Sequence, residues 1–245
     1  MSSEKTAKIR NLIKLPADPG DWEFTSVLIS RPINFLILHV IGDLKFITPN
    51  LVTLAGFGCF LAASGFIWSN PGARFLIAAL LFARLILDDL DGMLARYRGG
   101  GSSFGSYLDK VTDIIGFFVF FTVLGYVVYR QTSTPWPLIV SSAGIFGLMG
   151  TGYVKWVVAS MIAKAPTTNS PQALKVGPLR VLLTLMFIKI WAVNECDIFL
   201  FSIIFILFGF PVKILLYILA TTQILQFSAM LVIRGLQAAG ADKKR

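Results

Sequence analysis

An all-α integral membrane protein is the fold class this sequence predicts, with six transmembrane helices preceded by an N-terminal interfacial amphipathic helix. Three observations carry that expectation. The 245 residues are 56% hydrophobic and 14% charged, with mean hydropathy +0.74, whereas soluble domains average about 45–50% apolar and 25% charged. Apolar runs approaching the ~20 residues that cross a bilayer recur between Pro- and Gly-containing turns. Basic residues collect at the two ends and at alternate turns, the distribution expected of cytoplasmic segments. The formal net charge of +9 is therefore read as a membrane topology signal, and no nucleic-acid partner is expected.

The chain divides into a cytoplasmic N-terminal tail over 1–23, the interfacial helix over 24–46, a six-helix transmembrane catalytic domain over 47–238 and a basic cytoplasmic tail over 239–245. The first stretch is polar, holds Lys5, Lys8, Arg10 and Lys14, and is interrupted by Pro16, Pro19 and Gly20. It lacks the apolar core and small-residue cleavage site of a signal peptide. Residues 24–46 mix Leu28, Ile33, Leu36 and Val40 with Arg31, Asp43 and Lys45. That run is too short to span, which favours a helix lying in the interface. Thr48-Pro49-Asn50 starts the first span, which reaches Trp68, and Ser69-Asn70-Pro71-Gly72 turns the chain. The second span covers 73–96 and the third begins at Phe104, after the turn Arg98-Gly99-Gly100-Gly101-Ser102.

Residues 131–137 make the next turn and 138–162 the fourth span, on which Gly144, Gly147 and Gly150 form a stripe suited to close helix packing. Residues 163–178 read as a polar cytoplasmic loop. The fifth span, over 179–210, is interrupted by Asn194, Glu195 and Asp197, which leaves its boundaries open and calls for an outer kink or a partly interfacial half. The sixth covers 211–233. Cys59 and Cys196 lie in or beside apolar runs, which argues against a disulfide framework or zinc site. With His39 the single histidine, histidine-based hydrolytic chemistry is excluded.

Five aspartates, Asp88, Asp89, Asp91, Asp109 and Asp113, interrupt the second and third spans. Asp88 and Asp91 are three apart and Asp109 and Asp113 four apart, spacings that put each pair on one helix face. The short glycine turn brings the two faces together. Anions so gathered need a cation, and oxygen donors suit Mg²⁺, Mn²⁺ or Ca²⁺. Mg²⁺ is commonly held by carboxylates and substrate phosphates together, and Arg96 and Arg98 supply positive charge for such a phosphate. Asp89 points elsewhere and is expected to be solvated or paired with a basic residue. A structural salt-bridge network with Arg84, Arg96 and Lys110 is the bland reading of the acids, and a divalent-cation channel or carrier is the rival function.

The string Asp88-x-x-Asp91-Gly92-x-x-Ala95-Arg96, then Gly105-x-x-x-Asp109-x-x-x-Asp113, resembles the signature of the CDP-alcohol phosphotransferases (CDP-alcohol phosphatidyltransferases). The resemblance implies metal-dependent transfer of a substituted phosphate from a CDP-alcohol, CDP-diacylglycerol foremost, to an acceptor hydroxyl with release of CMP, in phospholipid biosynthesis. It implies two ions, Mg²⁺ or Mn²⁺, on Asp88, Asp91 and Asp109. Asp113 becomes the general base and a further metal ligand. Gly92, Ala95, Arg96 and Gly105 form the CDP-alcohol site, and a homodimer is expected. Arg84, Lys155, Lys164, Lys175 and Arg180 are candidates for an acceptor pocket. Ser30-Arg31-Pro32-Ile33-Asn34 with Ile47-Thr48-Pro49-Asn50 is similar to the entry segment of members that use CDP-inositol and an inositol phosphate, which raises that donor and acceptor as the alternative.

Overall fold

The computed structural model describes residues 3–12, 25–163 and 193–242, and within them every regular element is helical. The helices are α1 (Ser3–Leu12), α2 (Arg31–Ile41), α3 (Pro49–Ser69), α4 (Arg74–Tyr97), α5 (Ser103–Thr132), α6 (Trp136–Ala163), α7 (Glu195–Phe208) and α8 (Val212–Asp242). Among the described residues four helices are long and apolar enough to cross a membrane: α3, α5, α6 over Trp136–Val158 and α8 over Val212–Leu236. Helix α4 matches them in length but carries Arg84, Asp88, Asp89 and Asp91, and α7 has only 14 residues. The count of six spans therefore does not follow from length and composition. Large apolar side chains such as Phe75 and Phe208 are 84% and 74% exposed, a surface suited to a multi-pass protein in lipid.

The local signals that start and stop these helices behave as their chemistry requires. Thr48 caps α3, its hydroxyl accepting from the Leu51 amide at 3.2 Å, with Pro49 as the first helical residue. Ser102 caps α5 in the same way at 2.9 Å from the Gly105 amide. Between α4 and α5, Gly99 and Gly100 take φ of +110° and +132°, backbone that disfavours any residue with a Cβ. That reversal lets the acidic ends of the two helices lie side by side.

Helix α3 packs on α4 and α5, α5 on α6, α6 on α8, and α7 on α4. The central contact is a cluster of rings, with Phe60 of α3 against Phe117 and Phe120 of α5 and Phe199 of α7 at centroid separations of 5.2, 5.4 and 4.9 Å. The expected glycine stripe of α6 lies against α8: a Cβ on Gly144 would meet Ala220, one on Gly147 the backbone of Gln223, and one on Gly150 the ring of Phe227. In lipid, where apolar surface gains little by burial, close contact of this kind is what holds helices together.

Two features of the N-terminal region differ from the sequence reading. Part of the stretch expected to be an irregular tail is helix α1, which buries Ile9 against α2 and α4. Lys5 pairs with Asp43, and Lys8 stands 4.7 Å over the Tyr97 ring. Hydrogen bonds from Lys5 and from the Tyr97 hydroxyl, the latter at 2.8 Å, hold the Asp43 carboxyl below its ordinary pKa. Ile9 and Leu12 supply the small apolar stripe that a composition-level reading passes over.

The segment leading into α2 opens with a π turn, Ser26–Ser30. It precedes Pro32, whose ring lacks an N–H and would crowd the Leu28 carbonyl in a regular helix. The buried stripe from here is Ser26, Ser30, Asn34 and Leu38, while Leu28, Leu36 and Val40 are exposed. Three of the four inward residues are polar, so this helix is amphipathic with its hydroxyl and amide side toward the protein.

Replacing Gly147 with alanine is expected to destabilise the protein by roughly 1–3 kcal/mol through overpacking, read as a lower melting temperature in detergent. Gly152→Ala, where an added Cβ meets nothing within 4 Å, should leave the melting temperature unchanged.

Candidate active site

The site is built where the C-terminal end of α4 and the N-terminal end of α5 meet. Oxygen atoms of Asp88, Asp109 and Asp113 lie within 4.8 Å of one another. Such a convergence of carboxylates requires countercharge, and two cations supply it. Arg84, 1% exposed, donates through Nη2 to Asp88 at 2.7 Å and also to Asp113. Lys110 Nζ stands 3.2 Å from Asp109 and 3.4 Å from Asp113. Arg84 further lies over the Phe199 ring, 5.7 Å from its centroid, so the ring cluster walls the acids on one side. The hard, oxygen-only donor set fits a divalent cation of the Mg²⁺ or Mn²⁺ type.

Asp91 does not join those three carboxylates. It accepts from the Thr53 hydroxyl at 2.5 Å and borders an adjoining cleft of about 540 Å³, whose lining includes Asn50, Gly92, Ala95, Arg96, Gly105 and Asp109. Asp109 thus belongs both to the carboxylate trio and to the cleft. The sequence spacing brings four acids to one region, and the structure separates them into a triad and a neighbour on the cleft wall. Thr53 and Asn50 are contributors the sequence reading missed. Their spacing of three in an otherwise apolar span was the available signal.

Gly92 and Gly105 allow close approach across the cleft. A Cβ at Gly92 would stand 3.2 Å from Arg96 Nη1, and one at Gly105 would be 3.1 Å from Asn50 Oδ1. Arg96 is exposed on the cleft wall and has no hydrogen-bond or ion-pair partner among the described residues. Arg98, expected beside it as a second phosphate ligand, is committed elsewhere. Its guanidinium donates to the carbonyls of Gly42 at 3.0 Å, Ile47 at 2.7 Å, Leu44 at 2.8 Å and Ile41 at 3.3 Å. Arg98 fastens the link between α2 and α3 to the end of α4.

The candidate acceptor residues divide in the same way. Arg84 is buried between Asp88 and Asp113, both of which it meets through Nη2, so it braces the acid cluster. Lys155 is exposed on α6 and absent from the cleft lining. Lys164, Lys175 and Arg180 lie outside the described residues.

Asp89 is half-buried and has no basic partner among the described residues. It accepts from the Ser26 hydroxyl at 2.6 Å and from the Ser30 hydroxyl, while Asn34 Nδ2 donates to the Ile86 carbonyl at 3.0 Å. The inward polar face of the α2 segment therefore grips α4 at the turn that carries Asp88. A second tie links the segment to α7: the Thr25 amide and hydroxyl donate to Asp197 Oδ1 at 3.3 and 2.5 Å. Asp197 also closes the N-terminal box of α7 with Asn194, 3.1 Å from its amide. The break in the expected fifth span is thus on the acid side, where Phe199, about one turn further along α7, lies against Arg84. These contacts put Asn194–Asp197 at the same end of the bundle as the acids, whereas an outer kink would have set it at the opposite end. Sequences 172 residues apart give no local pattern from which the Thr25–Asp197 tie can be read.

Comparison with known proteins agrees with this geometry. The family described as CDP-alcohol phosphatidyltransferase matches residues 46–224. The phosphatidylinositol phosphate synthase of Cutibacterium acnes is 33% identical over 126 residues, which cover 49% of this chain and 57% of that protein. The synthase of the same name from Mycolicibacterium smegmatis is 36% identical over 91 residues, 37% of this chain and 38% of that one. These matches span about half or less of the relatives' own lengths. The crystal structure of Mycobacterium tuberculosis phosphatidylinositol phosphate synthase with CDP-DAG bound aligns over 84% of this chain and 93% of that chain, with TM-score 0.52 and 20% identity. A second structure of that enzyme, in complex with manganese and citrate, aligns with the same TM-score. At this identity the likeness is one of fold.

Replacing both Ser26 and Ser30 with alanine strips the Asp89 carboxylate of its hydroxyl donors, an expected loss of roughly 1–3 kcal/mol. The check is hydrogen exchange: amides of 25–41 should exchange faster while those of α6 and α8 keep their protection.

Proposed function

The chain belongs to the CDP-alcohol phosphatidyltransferase family, and from that premise we propose that it transfers a phosphatidyl group from CDP-diacylglycerol to a hydroxyl of a phosphorylated polyol, releasing CMP. The observation that carries this reading is the convergence of Asp88, Asp109 and Asp113 within 4.8 Å beside a cleft whose wall bears the partnerless Arg96. A cation path through the membrane has no use for a positive guanidinium at its mouth, so the cleft favours an anionic substrate over a transported ion. The acceptor class, an inositol phosphate, is supported by the names of the relatives, which are phosphatidylinositol phosphate synthases. The same chemistry with CDP-inositol as donor is the alternative that the products of a donor screen would reveal.

Asp88, Asp109 and Asp113, with Asp91 from the adjoining cleft wall, would hold Mg²⁺ or Mn²⁺, two ions in this reading, which when bound would neutralise the pyrophosphate and the departing CMP. Arg96 binds a phosphate of the nucleotide, and the missing side chains of Gly92 and Gly105 leave room for it against α4 and α5. Arg84 and Lys110 hold the Asp113 carboxylate in place, Arg84 at Oδ1 and Lys110 at Oδ2. As the acceptor oxygen bonds to phosphorus, Asp113 takes its proton, the bond from phosphorus to the CMP oxygen breaks, and CMP leaves with that electron pair. The Phe60, Phe117 and Phe199 rings keep water from the apolar side of the acids. Helices α4 and α7 complete a bundle of six membrane crossings in this reading, with both chain ends and the cleft on the cytoplasmic side and the α2 segment at the interface.

Purified protein incubated with CDP-diacylglycerol and inositol phosphate should release CMP, cease to do so with excess chelator and recover with Mg²⁺ or Mn²⁺. Asp113→Asn is expected to slow release by at least about 10²-fold, the lower end of what a general base contributes. Arg96→Ala should raise KM for the CDP-alcohol more than it lowers kcat. Unaltered CMP release in Asp113→Asn would overturn the assignment of the base, and divalent-ion flux in liposomes without CMP release would overturn the enzyme.

A further inference from the structure

At the end of the bundle opposite the acids, the ends of α3, α5 and α7 and the starts of α4 and α8 enclose a second cavity of about 290 Å³. Its walls are apolar, with Ile77, Leu124, Phe205 and Leu215 among them, and its polar lining is confined to Arg74 and Gln131. Ile77, Leu124 and Leu215 belong to the buried core, so the cavity runs inward from the rim.

Arg74 is exposed at that rim and has no hydrogen-bond or ion-pair partner among the described residues. Its guanidinium rests against Gly209, where a Cβ would come within 2.7 Å of Cζ. Gly209 ends α7 with φ +69°, so the turn that closes α7 is also the seat of the cation. A positive charge thus stands over an apolar recess at the ends of three candidate membrane spans, α3, α5 and α8. The size is near the lower end of the roughly 300–1,000 Å³ typical of ligand pockets, enough for a chain segment.

We propose that this cavity binds an anionic phospholipid, whose phosphodiester pairs with Arg74 while part of one acyl chain occupies the apolar interior. The occupant comes from the surrounding bilayer, because the recess lies at the ends of apolar helices suited to span it, and the negative headgroup is selected by a cation with no partner among the described residues. The site lies apart from the acid cluster and is independent of the transferase reading.

The experiment is native mass spectrometry of delipidated protein returned to micelles containing equal phosphatidylglycerol and phosphatidylcholine. Wild type is expected to retain phosphatidylglycerol at least about fivefold over phosphatidylcholine. Arg74→Ala should lose that preference and Arg74→Lys should keep most of it. Val212→Phe, which fills the recess from a partly exposed position, should lose retention of both lipids while melting as wild type does. Equal retention of the two lipids by wild type, or an Arg74→Ala protein with undiminished preference, would overturn the proposal. So would displacement of bound phosphatidylglycerol by millimolar inorganic phosphate, which would mark a site for the free anion.

Discussion

A single buried guanidinium governs how this bundle is put together. Arg84 is 1% exposed, surrounded by apolar helices, and joined to Asp88 on its own helix and Asp113 on the next. Removing one partner from a buried charge pair commonly costs about 3–5 kcal/mol, so none of these groups has freedom to leave the others. The pairings fix α4 against α5 at one height and one rotation. Phe199 then closes over the guanidinium, which fixes α7, and Phe60 fills the space between. The lack of a side chain at Gly116, where a Cβ would stand 2.5 Å from Phe60 Cδ1, is a consequence of that fit.

The N-terminal segment is attached by a different logic. It reaches α4 and α7 through hydroxyls and an amide, at Asp89, Ile86 and Asp197. Both anchors sit next to residues that meet the acid cluster: Asp89 follows Asp88, and Asp197 lies two positions before Phe199, whose ring stands against Arg84. Arg98 repeats the pattern at the other end of the segment by holding four carbonyls of the turn into α3. A segment outside the candidate spans is therefore wired to the two helices whose orientation determines how the carboxylates converge.

What the sequence discloses is what local spacing encodes. The limits of α3, α4 and α5 fall within a few residues of the expected ones, since caps at Thr48 and Ser102 and the glycine turn are contiguous signals. The pairs Asp88/Asp91 and Asp109/Asp113 place acids on facing sides for the same reason. Spacing is silent on whom a side chain meets across the bundle. It groups Asp91 with the others although Thr53 draws it to the cleft, offers Arg98 to a ligand although backbone carbonyls hold it, and assigns Arg84 to an acceptor although two carboxylates enclose it. The break at Asn194 is visible as polarity in an apolar run, yet its location beside the acids depends on the docking of α7 against α4.

The stripe Ser26, Ser30, Asn34 has an evolutionary corollary. In most helices natural drift is checked where greasy residues face inward and is loose on the polar outside. Here the gradient is inverted: Leu28, Leu36 and Val40 can be exchanged for one another or for other oily residues at little consequence, whereas trading a serine hydroxyl for a methyl strands a carboxylate. By this chemistry any sequence that keeps an acid at position 89 needs a hydroxyl donor at 26 and at 30, and an amide at 34 for the Ile86 carbonyl.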